Sequence, residues 1–458
     1  MSIKAITRRE FLKRSALLSG AGAAAPWALT LANIGEAAAQ SAGDYRALVC
    51  VFLYGGNDYA NTVVPYDIAS YNEYQRIRST IALKRDSLAA TALTPSVALP
   101  DGRQMAFAPE FAPLKTIFDQ GKLGVVLNVG PLIQPTTLVQ YNARNVPLPP
   151  KLFSHNDQQS VWQSSLPEGS TSGWGERIGD LVLGSNGNAT FTCVNASGNA
   201  VFMAGQQAVQ YQVSTNGSVQ MNGVSANLFG SAACRDLLRT LVTAPRAHAI
   251  ESAHTVVAGR ALAANATLTP ALTAVGNLPG FDTANNPLAA QLHVVARMIA
   301  AREALGAKRQ VFFVSLGGFD NHDFLVAQHP GLLSQTAAAI ASFYNATVAL
   351  GVADKVTTFT ASDFGRTLTS NGDGSDHGWG SHHIVCGGAV RGQRFYGTNP
   401  VVASGGPDDV GQGRLLPSTS VDQLAATFAT WLGVSDSNLP LVVPSIGNFS
   451  QRNLELLA

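Results

Sequence analysis

The chain has 458 residues, of which 13% are charged, and its formal net charge is +1. A balance so close to zero argues against a nucleic-acid-binding patch, an acidic tail and long-range electrostatic capture of a partner. The length is enough for one large α/β domain with insertions, or for two domains.

The first 39 residues carry the features of an export signal. Residues 7–13 read Thr-Arg-Arg-Glu-Phe-Leu-Lys, which resembles the twin-arginine (Tat) signal. A mildly apolar run over 16–32 follows, and Ala37-Ala38-Ala39 is the small-residue pattern that signal peptidase recognises. The run is too rich in alanine and too interrupted to span a bilayer. We therefore predict a Tat signal peptide over 1–39, with the Tat translocase and signal peptidase as partners, and a periplasmic or secreted mature protein without a transmembrane segment.

The four cysteines show no Cys-x-x-Cys spacing typical of a metal site. Cys50 and Cys386 lie in apolar runs, so we expect them to be buried. A disulfide between Cys193 and Cys234 is compatible with an oxidising periplasm, and the sequence leaves open whether it forms.

Strands and helices alternate along most of residues 40–458, which we predict to form a single domain. Apolar runs that end in glycine or in an acid predict strands at 47–54, 123–130, 310–316 and 355–362, and a further strand from 383 to 390. Periodicity and capping residues predict helices at 111–120, 154–165, 288–305, 332–350 and 420–432. Such alternation is typical of an α/β fold with a mostly parallel central sheet and helices on both faces.

The stretch from about 185 to 230 has a different composition, rich in Asn, Gly, Ser and Gln. Residues 209–213 alternate, and Asn216-Gly217 is a turn signal before 219–221, which together predict a hairpin. We predict a β-rich insertion in the domain, near the mouth of the site.

Acidic residues follow three of the predicted parallel strands, at the edge where open α/β sheets place their sites. Asp58 ends Gly-Gly-Asn-Asp, Asp320 and His322 lie in Gly-Gly-Phe-Asp-Asn-His, and Asp363 lies in Ser-Asp-Phe-Gly-Arg-Thr. Downstream, Asp376-His377 and His382-His383 add imidazoles, and four of the nine histidines lie in these motifs. Carboxylates and imidazoles on glycine-rich turns suit a divalent metal, so we predict a metal site. His382 and His383 point to opposite faces of a strand, so at most one of them faces a given site.

These motifs resemble an exported bacterial family catalogued as domain of unknown function 1501 (DUF1501). The matching stretches are Gly55-Gly56-Asn57-Asp58, Asn61-Thr62-Val63-Val64-Pro65, Phe153-Ser154-His155, Gly173-Trp174, Gly317-Gly318-Phe319-Asp320-Asn321-His322, Ser362-Asp363-Phe364-Gly365-Arg366-Thr367 and Asp376-His377-Gly378-Trp379-Gly380. That family is in turn similar to the alkaline phosphatase and sulfatase superfamily. The resemblance implies one or two divalent metals at the ends of parallel strands, and a Ser, Thr or modified Cys that attacks phosphorus or sulfur.

Carried over to this sequence, the resemblance implies the metal ligands Asp58, Asp320, His322 and Asp363, with His377, His382 or His383 supplying a further imidazole. Phe364 stands where the superfamily often has a histidine, which removes one ligand. The ion implied is Zn, Mn, Mg or Ca.

The resemblance also suggests catalytic roles. Ser154, at the predicted start of a helix, is the preferred nucleophile, because helix N-termini stabilise anions. Thr62, just after Asp58, is the rival candidate. Arg366 is expected to clamp the oxygens of an anion, and His155 to protonate a leaving group.

We therefore expect an exported metal-dependent hydrolase of phosphate or sulfate esters, whose substrate the sequence does not reveal. The alternative is a non-catalytic exported binding or assembly protein that retains the fold. Members of the family often lie beside genes for another uncharacterised exported family, which suggests a protein partner. A third hypothesis is a purely structural calcium site with Asp58 and Asp363 as oxygen ligands.

Overall fold

A computed structural model of the protein describes residues 45–205 and 207–458. The predicted signal peptide over 1–39 lies outside the described residues. Within the described part of the chain, no helix has both the length and the apolar character needed to cross a membrane.

The strands are, in chain order, β1 (Arg46–Leu53), β2 (Val63–Pro65), β3 (Met105–Phe107), β4 (Leu123–Gly130), β5 (Cys193–Asn195), β6 (Tyr211–Ser214), β7 (Gly217–Ser218), β8 (Arg309–Leu316), β9 (Val356–Ser362), β10 (Arg366–Ser370), β11 (Ser375–His377), β12 (Ser381–Gly387), β13 (Arg394–Tyr396) and β14 (Thr419–Ser420).

The α-helices are α1 (Ile68–Ile77), α2 (Ala112–Asp119), α3 (Leu138–Ala143), α4 (His155–Ser164), α5 (Trp174–Val182), α6 (Ala232–Thr243), α7 (Ala249–Val275), α8 (Pro287–Ala300), α9 (Leu325–Ala349), α10 (Val421–Leu432) and α11 (Leu439–Val442). Short 3₁₀ turns link them at Tyr59–Asn61, Arg85–Thr91, Pro100–Gly102, Pro109–Phe111, Leu183–Ser185, Ala189–Phe191, Val201–Met203, Ala353–Lys355, Asp436–Asn438 and Pro444–Asn448.

The central sheet has the order β13-β4-β12-β9-β1-β8-β5-β6-β7, and β14 also pairs with β4. The run from β9 through β1, β8 and β5 to β6 is parallel. In contrast, β12 runs antiparallel to both of its neighbours, β4 and β9. Two antiparallel pairs, β2 with β3 and β10 with β11, lie outside this sheet. The predicted mostly parallel sheet is confirmed.

Helices cover both faces of the sheet, as predicted. Alternate residues of β1 belong to different cores: Val49 and Val51 pack with α2, α8 and α9, whereas Cys50 and Phe52 pack with α5 and α10. Because both faces are covered, the central strand is apolar throughout and does not alternate with polar residues.

The stretch 185–230 contains β5, β6 and β7, which continue the sheet beyond β8. β6 and β7 form an antiparallel hairpin around the Asn216-Gly217 turn. This segment therefore extends the edge of the central sheet with short strands.

All four cysteines are unpaired: Cys234 is exposed, whereas Cys50, Cys193 and Cys386 are buried. The pairing of Cys193 with Cys234 that the sequence left open is therefore absent from the structure.

The start of α9 differs from the sequence prediction of a helix over 332–350. The helix begins at Leu325 and contains Pro330. Its first turn is held by Asp373, whose carboxylate and carbonyl oxygens accept hydrogen bonds from the backbone N–H groups of Phe324 and Leu325. Asp373, a residue distant in sequence, thus accepts hydrogen bonds from backbone N–H groups at the N-terminal end of α9. Pro330 lies inside the helix and does not mark its first turn.

Candidate metal centre

Three adjacent parallel strands, β8, β1 and β9, end at the same edge of the sheet, and Asp320, Asp58 and Asp363 follow them. The loops after these strands come very close together. Gly55 has φ +113°, and a Cβ on it would lie 2.4 Å from the backbone nitrogen of Asp320. The glycine is therefore needed both for its dihedral angle and for the close approach of the two loops.

Four of the predicted residues form one compact group at this edge, here called the histidine cluster (His155, Asp320, His322 and His377). The Nε2 atoms of His322 and His377 are 2.9 Å apart. They lie 3.1 and 3.2 Å from Oδ1 of Asp320, and His155 Nε2 lies 3.4 Å from its Oδ2. One ligand atom each from His155, Asp320 and His377 lies within 4.8 Å of the others, as a metal site requires.

The ring of His155, the first residue of α4, is oriented by Asp363. Its Nδ1 lies 2.6 Å from Oδ2 of Asp363, which also accepts hydrogen bonds from Gln159 Nε2 at 2.8 Å and from Gly55 N at 3.2 Å. Asp363 is fully buried and its Oδ1 has no hydrogen-bond partner. Asp363 therefore positions His155, which itself reaches the cluster through Nε2.

The other two imidazoles are oriented in the same way. His322 Nδ1 lies 3.1 Å from Oδ1 of Asp376, and His377 Nδ1 lies 2.8 Å from the carbonyl oxygen of Phe153. The pairing of β10 with β11 brings His377 opposite Arg366. Carboxylate and carbonyl partners of this kind are the usual outer shell of metal-binding histidines.

The electrostatics of the cluster follow from these contacts. A carbonyl or carboxylate oxygen only accepts, so each Nδ1 must donate its proton and each neutral ring then has its lone pair on Nε2. The lone pairs of His322 and His377 consequently face each other and the carboxylate of Asp320. That arrangement is repulsive unless a proton or a cation lies between them.

The pKa values of these groups shift in different directions. The hydrogen bond to Asp363 raises the pKa of His155 and outweighs the opposing effect of burial. Burial lowers the pKa of His377. Partial burial raises the pKa of Asp320, but the hydrogen bond and charge of Arg366 outweigh it, so the pKa is held below its usual range.

Arg366 has a different position from the predicted anion clamp. Its side chain is fully buried, and Nη1 donates to Asp320 Oδ1 at 2.6 Å and to the carbonyl of Gly55 at 3.1 Å. Nη2 donates to the carbonyl of Ser375. With these donors engaged inside the protein, Arg366 orients Asp320.

The structure departs from the sequence prediction at Asp58. Its carboxylate forms an ion pair with Arg78, and both side chains are buried, at 1% and 0% exposure. Arg78 also donates to the carbonyl oxygens of Thr367 and Leu368. Asp58 thus belongs to a closed structural pair and not to the histidine cluster.

His383 also lies outside the histidine cluster. It is buried in the core, its ring contacts Trp162 edge to face at 5.3 Å, and burial lowers its pKa to about 3. His382 points to the other side of β12, as expected for neighbours on a strand, and its Nδ1 accepts from the backbone N–H of Asn128. Both are neutral core histidines.

The two candidate nucleophiles are engaged in local hydrogen bonds. The hydroxyl of Ser154 donates to Asp157 Oδ2 at 2.8 Å, so it does not cap the backbone of α4. The hydroxyl of Thr62 donates to the carbonyl oxygen of Asp58 at 2.7 Å and is buried. The contacts of both hydroxyls are those of structural residues.

Sequence reasoning missed several residues around the site. Asp376 and Gln159 were not singled out as orienting groups, and His155 was expected to be an acid and not a ligand. Arg414 also lies close by, with its guanidinium 4.7 Å above the ring of Phe153 and its Nε donating to the carbonyl of His377. No local pattern marks Arg414, because its partners lie far away in the chain.

Among solved structures, the fold is similar to Ps i-CgsB, crystallised with k-i-k-neocarrahexaose, at 11% identity and a TM-score of 0.33, covering 88% of this chain and 77% of that one. It is also similar to the C-terminal periplasmic domain of EcEptC from Escherichia coli, at 12% identity and a TM-score of 0.32, covering 89% and 88%. A protein described with glycosaminoglycan metabolism by Bacteroides thetaiotaomicron matches at 12% identity and a TM-score of 0.34, covering 88% and 74%. Similarities this weak carry no argument about function.

The comparison with curated proteins finds no match. The family model described as "Protein of unknown function (DUF1501)" matches residues 45–441, which include the histidine cluster and every strand of the central sheet. The chain therefore belongs to the DUF1501 family.

Proposed function

We propose that the histidine cluster binds a divalent transition metal, and that the protein uses it to hydrolyse phosphate or sulfate esters. The observation that carries the metal assignment is the approach of the Nε2 atoms of His322 and His377 to 2.9 Å beside Asp320. Three imidazoles whose outer nitrogens are all held by oxygen acceptors have their lone pairs available for one ion.

The spacing and chemistry of these groups suit a small metal ion. Ligand atoms at about 2.0–2.1 Å from a tetrahedral ion lie roughly 3.3 Å from one another. In the histidine cluster, the Nε2 atoms of His322 and His377 are 2.9 Å apart, and the distances from the three imidazoles to the Asp320 carboxylate run from 3.1 to 3.4 Å. His155 Nε2 is buried without a hydrogen-bond partner, as expected for a ligand atom. Imidazoles favour Zn, Fe or similar ions over Mg or Ca, which prefer oxygen ligands.

A metal at this site would supply Lewis acidity towards an ester oxygen and would lower the pKa of a water molecule. The residues of the chain do the positioning: Asp363 and Asp376 fix two imidazoles, and Arg366 fixes Asp320. Since the hydroxyls of Ser154 and Thr62 are already engaged, we propose water as the attacking group.

Recognition of an anionic ester needs a cation that is still available. Arg366 has no accessible surface, whereas Arg414 is only partly buried and stacks on Phe153 beside His377. We propose Arg414 as the group that contacts the phosphate or sulfate oxygens, in the role that the sequence suggested for Arg366.

The location of the protein is proposed from the sequence alone. The Arg8-Arg9 pair and the Ala37-Ala38-Ala39 pattern support export by the Tat translocase and cleavage by signal peptidase. Changing both arginines to lysine is expected to leave an uncleaved folded precursor in the cytoplasm. Normal export of that variant would contradict the proposal.

The decisive experiment measures metal content and hydrolysis on one preparation purified without chelator. We expect Zn, Mn or Fe, together with hydrolysis of an aryl phosphate or an aryl sulfate. His377→Ala should lose both, whereas the exposed His254→Ala should lose neither. Bound calcium would favour a structural site, and absence of metal and activity would favour a binding scaffold; either outcome contradicts the proposal.

A further inference from the structure

The hairpin formed by α6 and the first half of α7 has almost no core of its own. None of the residues of α6 is buried. Before Leu262, the buried residues of α7 are Thr255 and Ala258. The second half of α7 packs on β7 and α8. The substantial packing of α6 is with α7 alone. By contrast, α10 buries nearly every residue against the sheet.

Large apolar side chains nevertheless point to solvent along this hairpin. We define the hairpin surface by its six exposed apolar residues: Phe229, Leu237, Leu241, Ile250, Val256 and Val257. Phe229 is 91% exposed, Ile250 is 75% exposed and Leu237 is 62% exposed. Leu237 and Leu241 are four residues apart in the sequence and therefore share one side of α6.

Two physical arguments indicate that this surface is covered when the protein works. A helix as short as the 12 residues of α6 is marginal in water unless tertiary packing supports it. Moreover, these apolar side chains are exposed just before α6 and along both helices, so they offer apolar contacts over the length of the hairpin. A standard protein–protein interface needs about 800 Å² from each partner.

We propose that the hairpin surface is a self-association site, and that its partner is a second copy of this chain. Between residues 229 and 257 there are three arginines (Arg235, Arg239 and Arg246) and two acids (Asp236 and Glu251), so the formal balance is 3 − 2 = +1. The whole chain likewise carries only +1. Two identical surfaces meet around a two-fold axis, and this mixed, nearly neutral set of charges allows that without strong repulsion.

A membrane surface is the less favoured partner. Helices that lie in a lipid interface usually combine an apolar face with a clear excess of lysine and arginine. The hairpin surface lacks that excess, and its acids lie among its arginines. Binding to lipid vesicles is therefore the competing outcome of the experiment.

The test combines mass with thiol accessibility. Sedimentation of the purified protein over a wide range of concentration is expected to show a dimer. Cys234 is the exposed one of the four cysteines and lies one turn before Leu237 and Leu238, so its reaction with a maleimide should slow as the dimer forms. The double variant Leu237→Glu, Leu241→Glu should halve the mass and restore fast labelling. Val97→Glu, at a similarly exposed valine on another element, should remain dimeric.

Several results would overturn the proposal. They are a monomer with rapidly labelled Cys234 at every concentration, a dimer that persists unchanged in the double glutamate variant, and a monomer that binds phosphatidylethanolamine–phosphatidylglycerol vesicles through this surface. Because the wild-type mass and labelling measurements need no variant, a folding defect in the variant does not remove the test. None of these measurements depends on metal or hydrolysis.

Discussion

Two aspartate–arginine pairs at the same edge of the sheet have opposite roles. Asp58 and Arg78 are both buried, at 1% and 0% side-chain exposure. Arg366 is equally buried, but its partner Asp320 is 45% exposed and also contacts three imidazoles. A carboxylate that a single arginine balances in the interior is structural, whereas one that stays open beside three imidazoles is available to a cation.

The difference arises in the loops after the strands. The 3₁₀ turn Tyr59–Asn61 begins directly after Asp58. The carboxylate of Asp58 forms its ion pair with Arg78, the residue at the C-terminal end of α1. Asp320 follows a glycine pair, and the chain continues to His322, whose ring lies beside it. The same Gly-Gly-x-Asp motif therefore leads to a closed pair in one loop and to an open site in the other.

The largest effect is expected for Asp320→Asn. We expect bound metal and hydrolysis to be lost, because this residue is the single carboxylate of the histidine cluster and even outer-shell changes cost 10–100-fold in metal affinity. Metal analysis after gel filtration measures this. Retention of full metal content would show that Asp320 is not a metal ligand.

Asp58→Asn should lower the stability of the fold and leave the metal bound. Removing one partner leaves Arg78 buried and uncompensated, which costs about 3–5 kcal/mol of the free energy of unfolding. Denaturant unfolding measures the loss, and the folded fraction should keep its metal. The double variant Asp58→Asn, Arg78→Met should recover part of the stability. If Asp58→Asn loses metal with little loss of stability, Asp58 belongs to the site after all.

Asp363→Asn removes the charge of an acid that orients a histidine of the cluster. We expect metal affinity to fall by about 10–100-fold, because the His155 ring loses the carboxylate that holds its Nδ1. Competition with a chelator measures the affinity. Asp86→Asn, an exposed acid, serves as the control. Unchanged affinity in Asp363→Asn would argue against His155 as a ligand.

Glu176 is a buried acid that forms no ion pair with an arginine among the described residues. Burial, with the charge of Asp180, raises the pKa of its carboxyl from 4.5 to about 9. Its protonated form is therefore the one that folding favours. The associated stability is fully present below about pH 4.5 and is lost as pH rises towards 9.

Glu176→Gln should flatten this part of the pH profile and raise the melting temperature at pH 8 by roughly 2–4 °C. Calorimetry at a series of pH values measures both effects. Glu251→Gln, at an exposed acid, should leave the profile unchanged. A wild-type profile that rises between pH 5 and 9 would contradict the assignment.

The smallest effect is expected for Ser154→Ala. Because the hydroxyl donates to Asp157, its removal should cost about 1 kcal/mol and leave hydrolysis and metal content unchanged. Thermal stability and ester hydrolysis measured on the same preparation distinguish a structural hydroxyl from a nucleophile. Loss of hydrolysis with full metal content would restore Ser154 as the nucleophile.

The main strands, and the sheet edge at which the acids lie, could be predicted from the sequence. The apolar runs at 47–54 and 123–130 correspond to Arg46–Leu53 and Leu123–Gly130, because strands buried on both faces must be apolar throughout. The placement of Asp320 and Asp363 at one edge follows from the shared direction of β8 and β9. Local composition is sufficient for these features.

The contacts between these side chains depend on the tertiary structure. His155 reaches Asp363 across 208 positions of sequence, and His377 reaches the carbonyl of Phe153 across 224. Asp58 was predicted as a ligand because it follows a parallel strand, and no local pattern indicates Arg78 as its partner. Side-chain direction at a strand end depends on loop dihedral angles and on groups brought from distant elements. Periodicity and motif spacing carry no information about those long-range partners.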